Sequence, residues 1–102
     1  DIGASIIAKS NNLPNLITLN LFRNEIGDAG AVAFAKSVHF LKLESLYFSE
    51  NNITDEGAVA LIESDAFPAL NFLDLGKNLL GEPTALAAFK VNRKEKVRVL
   101  YK

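Results

Sequence analysis

Leu16-Ile17-Thr18-Leu19-Asn20-Leu21-Phe22-Arg23-Asn24-Glu25-Ile26 is answered by Leu43-Glu44-Ser45-Leu46-Tyr47-Phe48-Ser49-Glu50-Asn51-Asn52-Ile53, and again by Leu70-Asn71-Phe72-Leu73-Asp74-Leu75-Gly76-Lys77-Asn78-Leu79-Leu80, each copy 27 residues after the last. A second phrase follows each of the first two copies: Gly27-Asp28-Ala29-Gly30-Ala31-Val32-Ala33-Phe34, then Thr54-Asp55-Glu56-Gly57-Ala58-Val59-Ala60-Leu61. The opening Asp1-Ile2-Gly3-Ala4 matches that second phrase one period earlier, so the chain starts in mid-repeat. Self-similarity at a fixed period of this length is the mark of a stacked-repeat architecture, and it decides the fold.

The first phrase reads as a short strand. Leu16, Leu19 and Leu21 alternate onto one face, and Thr18, Asn20 and Phe22 onto the other. Asn24, Asn51 and Asn78 recur where the chain must turn. The second phrase reads as a helix, with Gly27 or Asp28 and Thr54 or Asp55 at its N-cap. Its apolar columns Ala4/Ala31/Ala58/Ala85, Ile7/Phe34/Leu61/Ala88 and Ala8/Ala35/Ile62/Phe89 make the stripe of a helix lying on a sheet. The alanine column implies close approach, where larger side chains would overpack. Leu13, Phe40 and Phe67, again one period apart, are expected to close the loop from each helix back to the next strand.

A strand and a helix joined at this spacing stack as right-handed parallel units, strands inside an arc and helices outside. The expected fold is therefore an α/β right-handed solenoid of about three full repeats with partial ends. A partial repeat covers 1–15, full repeats cover 16–42, 43–69 and 70–96, and a capping strand covers 97–102.

The pattern Leu-x-x-Leu-x-Leu-x-x-Asn-x-Ile followed by Gly/Thr-Asp-x-Gly-Ala resembles the ribonuclease-inhibitor-like subfamily of leucine-rich repeats, over essentially the whole chain. That subfamily includes ribonuclease inhibitor, Ran GTPase-activating proteins and the sensor arrays of innate immune receptors. The resemblance implies an asparagine ladder that satisfies buried backbone groups of the turns. It also implies a protein-protein interaction module that holds a partner on a concave sheet face. GTPase activation and a purely structural cap of a larger repeat protein are the alternatives. No functional residue of the GTPase activators can be matched to a position here.

In this register the concave face carries Thr18, Asn20 and Phe22, then Ser45, Tyr47 and Ser49, then Phe72, Asp74 and Gly76, then Val99 and Tyr101. Aromatic residues among small polar ones suit a partner-binding patch, because aromatics are enriched at protein interfaces. Bracing of these rings across neighbouring strands is the competing account. Arg23, Glu50 and Lys77 follow the strands at one edge and are placed to tune partner choice.

The two ends depart from the repeat. Gly81-Glu82-Pro83-Thr84 replaces the usual helix-start phrase, and the last helix is expected to reach about Arg93. A strict period places Val97 and Leu100 in the columns of Leu70 and Leu73, and Lys102 in the column of Leu75. A lysine where the core expects leucine implies that the stack stops there. From Lys90 onward six basic residues stand against Glu95 alone, whereas residues 1–89 carry five basic and eleven acidic ones. This basic tail is read as a polar terminal cap ahead of a nucleic-acid contact. At the other end Ile6 and Ile7 would face a neighbouring unit. The chain is therefore expected to be the C-terminal piece of a longer array or to self-associate through its uncapped N-terminal end.

Composition excludes several classes. With 49% hydrophobic and 23% charged residues the chain belongs with ordinary globular domains and not with disordered ones. Cysteine is absent, which removes disulfides, Cys-based metal or redox sites and cysteine nucleophiles, and agrees with an intracellular, cytoplasmic setting, secretion into a host cell being the alternative. His39 is the only histidine and reads as a helix-end residue. Glu25, Asp28, Asp55 and Glu56 follow the repeat and read as capping and solvating groups, not as an acid and base pair. No glycine-rich phosphate motif occurs. No enzyme activity, cofactor, metal, nucleic acid or membrane is expected.

Overall fold

The computed structural model describes residues 1–93 and 96–102, with only the backbone of Arg93, so Lys94 and Glu95 of the basic tail lie outside the described residues. Helices and strands alternate: α1 Ile2–Ala8, β1 Thr18–Asn20, α2 Asp28–Ala35, β2 Ser45–Tyr47, α3 Asp55–Ile62, β3 Phe72–Asp74, α4 Glu82–Arg93, β4 Arg98–Leu100. The strands form one parallel sheet in the order β1-β2-β3-β4. Leu19, Leu46 and Leu73 are direct neighbours across it, as the 27-residue period requires. Three-residue strands are short for a sheet, but each is locked to the next in the stack, and the helices pack side by side in a second layer.

The core lies between the layers. Leu43, Leu46, Phe48, Ile53, Leu73 and Leu75 from the strand side meet Ala31, Phe34, Ala58, Leu61 and Ala88 from the helices, all buried. The Phe34 ring packs edge-on against Phe48 at 5.3 Å and tilted against Phe40 at 5.8 Å. Such pairs add about 0.5–1.5 kcal/mol beyond the area they bury. Phe40 and Phe67 close the helix-to-strand loops as expected, while Leu13 at the edge remains 38% exposed. The fourth helix breaks the apolar stripe: Ala88 is buried, but Phe89, in the column of Ala35 and Ile62, is exposed.

The register of the last strand corrects the strict period. Arg98 pairs with Phe72, Val99 with Leu73 and Leu100 with Asp74, an offset of 26, so one residue has been lost between α4 and β4. Val99 is buried and Tyr101 packs against the core, in the columns of Leu73 and Leu75. Tyr101 and Val99 therefore do not line the open face of the sheet; Arg98 and Leu100 do. Lys102 consequently falls beside Gly76, not in the core, so the expected clash of a lysine with a leucine site does not arise. Its carbonyl oxygen would lie 2.8 Å from a Cβ placed on Gly76, which requires a glycine there.

Candidate functional site

Three polar ladders hold the turns in register. Asn51 Oδ1 accepts the Asn24 and Ile26 N–H groups at 2.9 and 2.8 Å, and its Nδ2 donates to the Leu21 and Phe48 carbonyls at 2.9 Å each. Asn78 repeats this one unit later, accepting Ile53 N–H at 3.0 Å and donating to Phe48 and Leu75 carbonyls at 3.0 Å. Each asparagine thus satisfies buried groups of two repeats at once. At the helix starts the N-caps are Gly27 and Thr54, without a side-chain cap bond. Asp28 and Asp55 instead sit inside the first turn and reach forward to the next helix. Asp28 Oδ1 accepts Thr54 and Gly57 N–H at 2.8 and 3.1 Å, and its other oxygen accepts the Thr54 hydroxyl. Asp55 Oδ1 accepts Gly81 and Thr84 N–H at 2.9 and 3.2 Å and the Thr84 hydroxyl at 2.6 Å. The Thr84 hydroxyl, then the Gly81 and Thr84 N–H groups, hold the Asp55 carboxyl below its ordinary 3.8, outweighing a smaller opposing effect of burial.

The third ladder runs along the helix ends. Ser37 donates to the Ala8 carbonyl at 2.7 Å and Ser64 to the Ala35 carbonyl at 2.6 Å. The sequence offered Asp28 and Asp55 as capping groups, and they cap the following helix instead of their own, whereas the serine column was given no role although its signal was present. Ser10, Ser37 and Ser64 stand 27 apart, as do Asp1, Asp28 and Asp55. A column of identical polar residues in a stack indicates a bond between units, not one within a unit.

These ladders fix the open face of the sheet, the side turned away from the helices. Thr18, Asn20 and Phe22 of the first unit are exposed, Phe22 by 43%. Ser45, Tyr47, Ser49, Phe72 and Asp74 are half-buried, Gly76 is buried, and Leu100 is 39% exposed beside the exposed Arg98. The structure brings Tyr47 and Phe72 together, ring centroids 5.5 Å apart and tilted by 55°. Phe22 is not part of that pair; the Arg23 guanidinium sits over its ring at 4.9 Å and also grips both carboxylate oxygens of Glu50 at 3.0 and 3.1 Å. Asn20 and Asp74 turn back onto the chain, accepting the Phe22 and Gly76 N–H groups at 3.0 and 2.9 Å. Arg23, Glu50 and Lys77 all adopt the left-handed conformation, φ between 54° and 55°, so the chain leaves each of these three strands by the same turn.

Among the described residues no group of three or more His, Asp or Glu could hold a metal ion. His39 is half-buried between α2 and β2, its N–H on Ser37 Oγ at 3.3 Å. No helix among the described residues is long and apolar enough to cross a membrane.

The family described as leucine-rich repeat matches the chain at residues 12–35 and 41–61. No curated protein matches it. With alternating helices and strands in one parallel sheet, these matches fit the fold of an α/β leucine-rich repeat solenoid.

Proposed function

We propose that the chain is a protein-protein interaction module that holds a protein partner on the open, concave face of its sheet. Leucine-rich repeats generally serve as protein-binding modules rather than enzymes, and the 27-residue period with its Asp-x-Gly-Ala helix start supports the ribonuclease-inhibitor-like kind. The observation that carries the reading is the Tyr47–Phe72 pair, half-exposed at the centre of a face whose backbone is fixed on both sides. Bracing and binding are compatible here. The two rings hold each other in one orientation, which lowers the entropy lost when a partner packs on them. Phe22 and Leu100 extend the apolar surface on either side, and Thr18, Asn20, Ser45, Ser49 and Asp74 give it a polar frame. Of the edge charges, Arg23 and Glu50 neutralise each other, which leaves Lys77, with Arg98 on the last strand, to favour a partner with acidic groups at that side.

Affinity capture with the immobilised chain tests the reading. Tyr47→Ala combined with Phe72→Ala should reduce the captured partner at least about tenfold, the loss expected when central aromatic anchors are truncated. Lys36→Ala, on the helix side, should leave capture unchanged. Undiminished capture by the double variant would remove this face from the account.

A further inference from the structure

The core is filled differently in successive units. In the second unit the Phe34 ring packs on those of Phe48 and Phe40, at 5.3 and 5.8 Å. One period later the same columns hold Leu61, Leu75 and Phe67, so a single ring remains where there were three. The helix ends change at the same junction. Ser37 ties α2 to α1 and Ser64 ties α3 to α2, by hydroxyl bonds of 2.7 and 2.6 Å to a carbonyl of the preceding helix. Val91 stands one period after Ser64, and its side chain has no donor with which to tie α4 to α3. The fourth helix also runs twelve residues where α2 and α3 run eight, so its last turn extends past the point at which the others stop.

A cavity of about 400 Å³ opens between α3, α4 and the chain that enters β4. Its floor is the core itself: Leu61, Phe67, Leu70 and Leu73 line it and are buried. Val91 and Val97, both half-buried, form the wall. This volume lies within the ~300–1,000 Å³ range of small-molecule sites and well above the ~150 Å³ that accepts benzene in an apolar core. The mouth is charged. Glu63 and Asp65 stand on the α3 side, Lys90 and Lys96 on the α4 side, and all four are exposed. The basic side prevails, because from Lys90 onward six basic residues stand against Glu95 alone. An apolar hole with ammonium groups at one lip is complementary to a molecule with an apolar body and one anionic end.

We propose that this cavity is a binding site separate from the open face of the sheet, and that it takes a single-chain carboxylate of about ten carbons. The chain lies on Leu61, Leu70 and Leu73, and the head sits between Lys90 and Lys96. A carboxylate at that lip meets exposed ammonium groups and keeps much of its water, so only the apolar chain is desolvated. Glu63 and Asp65 repel the head from the opposite lip, which fixes the direction in which the chain enters.

Decanoate is the probe, titrated below its micelle concentration into the isotope-labelled full chain and followed by NMR. The amides of Leu61, Leu73, Val91 and Val97 should shift and saturate with a Kd of about 1 mM or lower, while those of Thr18 and Asn20 stay in place. Val91→Phe puts a ring where the wall has an isopropyl group, and should weaken decanoate at least about tenfold by filling the space. Lys90→Gln combined with Lys96→Gln should weaken decanoate about fivefold and leave decanol unchanged, since only the head has lost its partners. That surface variant decides the matter if urea denaturation shows Val91→Phe to be poorly folded. No saturable shift in the parent, or decanoate bound by the lysine variant as tightly as by the parent, overturns the site. Decylamine bound as tightly as decanoate overturns the choice of a carboxylate.

Discussion

The first unit, Leu13 to Ile26, and the second, Phe40 to Ile53, share the framework of the repeat, Leu16/Leu43, Leu19/Leu46, Asn24/Asn51 and Ile26/Ile53, yet they stand in different physical situations. Phe40 is fully buried where Leu13 is 38% exposed. Asn51 bonds two repeats where Asn24 bonds only its own turn. The difference teaches that in a stacked protein the value of a side chain is set less by its type than by whether a unit lies on both sides of it. Local sequence makes a repeat, and neighbours give it its stability.

Paired substitutions at equivalent positions turn this into numbers, and the largest effect belongs to the core. Phe40→Ala removes a ring that packs on Phe34 and leaves a cavity, at a cost of about 3–5 kcal/mol. Leu13→Ala, one period earlier, removes a partly exposed side chain and should cost about 1 kcal/mol. Urea denaturation of both variants measures the ratio. Equal losses would mean that the first unit is as well supported as the second. The ladder should show the same contrast on a smaller scale. Asn51→Ala orphans the Ile26 N–H and the Leu21 carbonyl, and at about 1–3 kcal/mol for each buried unpaired group it should lose roughly 3 kcal/mol. Asn24→Ala loses a single exposed bond and should stay within about 0.5 kcal/mol of the parent.

What could be read beforehand follows the same division. The columns Leu19/Leu46/Leu73 and Asn24/Asn51/Asn78 were legible because one residue type recurs at one phase, and pairing of like with like needs no further information. The last strand was not. A residue lost between α4 and β4 leaves Val97, Val99, Leu100 and Tyr101 all plausible as core residues, and an apolar alternation read one place out turns every side chain to the wrong face. Packing selected Val99 and Tyr101, and with them the bonds of the Asn92 side chain to the Val99 N–H and carbonyl at 2.9 and 3.4 Å, which no repeat column announces because Asn92 matches Asp65 one period earlier. On the open face, positions followed from the strand alternation, but the choice of Tyr47 with Phe72, and of Phe22 with Arg23, depended on side-chain geometry that alternation does not encode.

The forward-reaching Asp55 gives the smallest effect, and one that pH can display. Asp55 has its carboxyl held below 3.8 by donors from α4, chiefly the Thr84 hydroxyl. A carboxyl more acidic in the folded chain than in the unfolded one stabilises the fold at pH above its unfolded value. That contribution is lost as pH falls through the lower, folded value. Between pH 5 and the onset of acid unfolding, the urea midpoint of the parent should therefore fall more steeply than that of Asp55→Asn, with the divergence confined to the region below about pH 4 where the unfolded carboxyl begins to protonate. Thr84→Val keeps the shape of a buried side chain but removes the first donor, and should give an intermediate slope. If Asp55→Asn and the parent lose stability in parallel over that range, the carboxylate is not drawing its junction together through these bonds. The link between α3 and α4 would then rest on apolar contact alone, like a junction from which the polar ladder had been deleted.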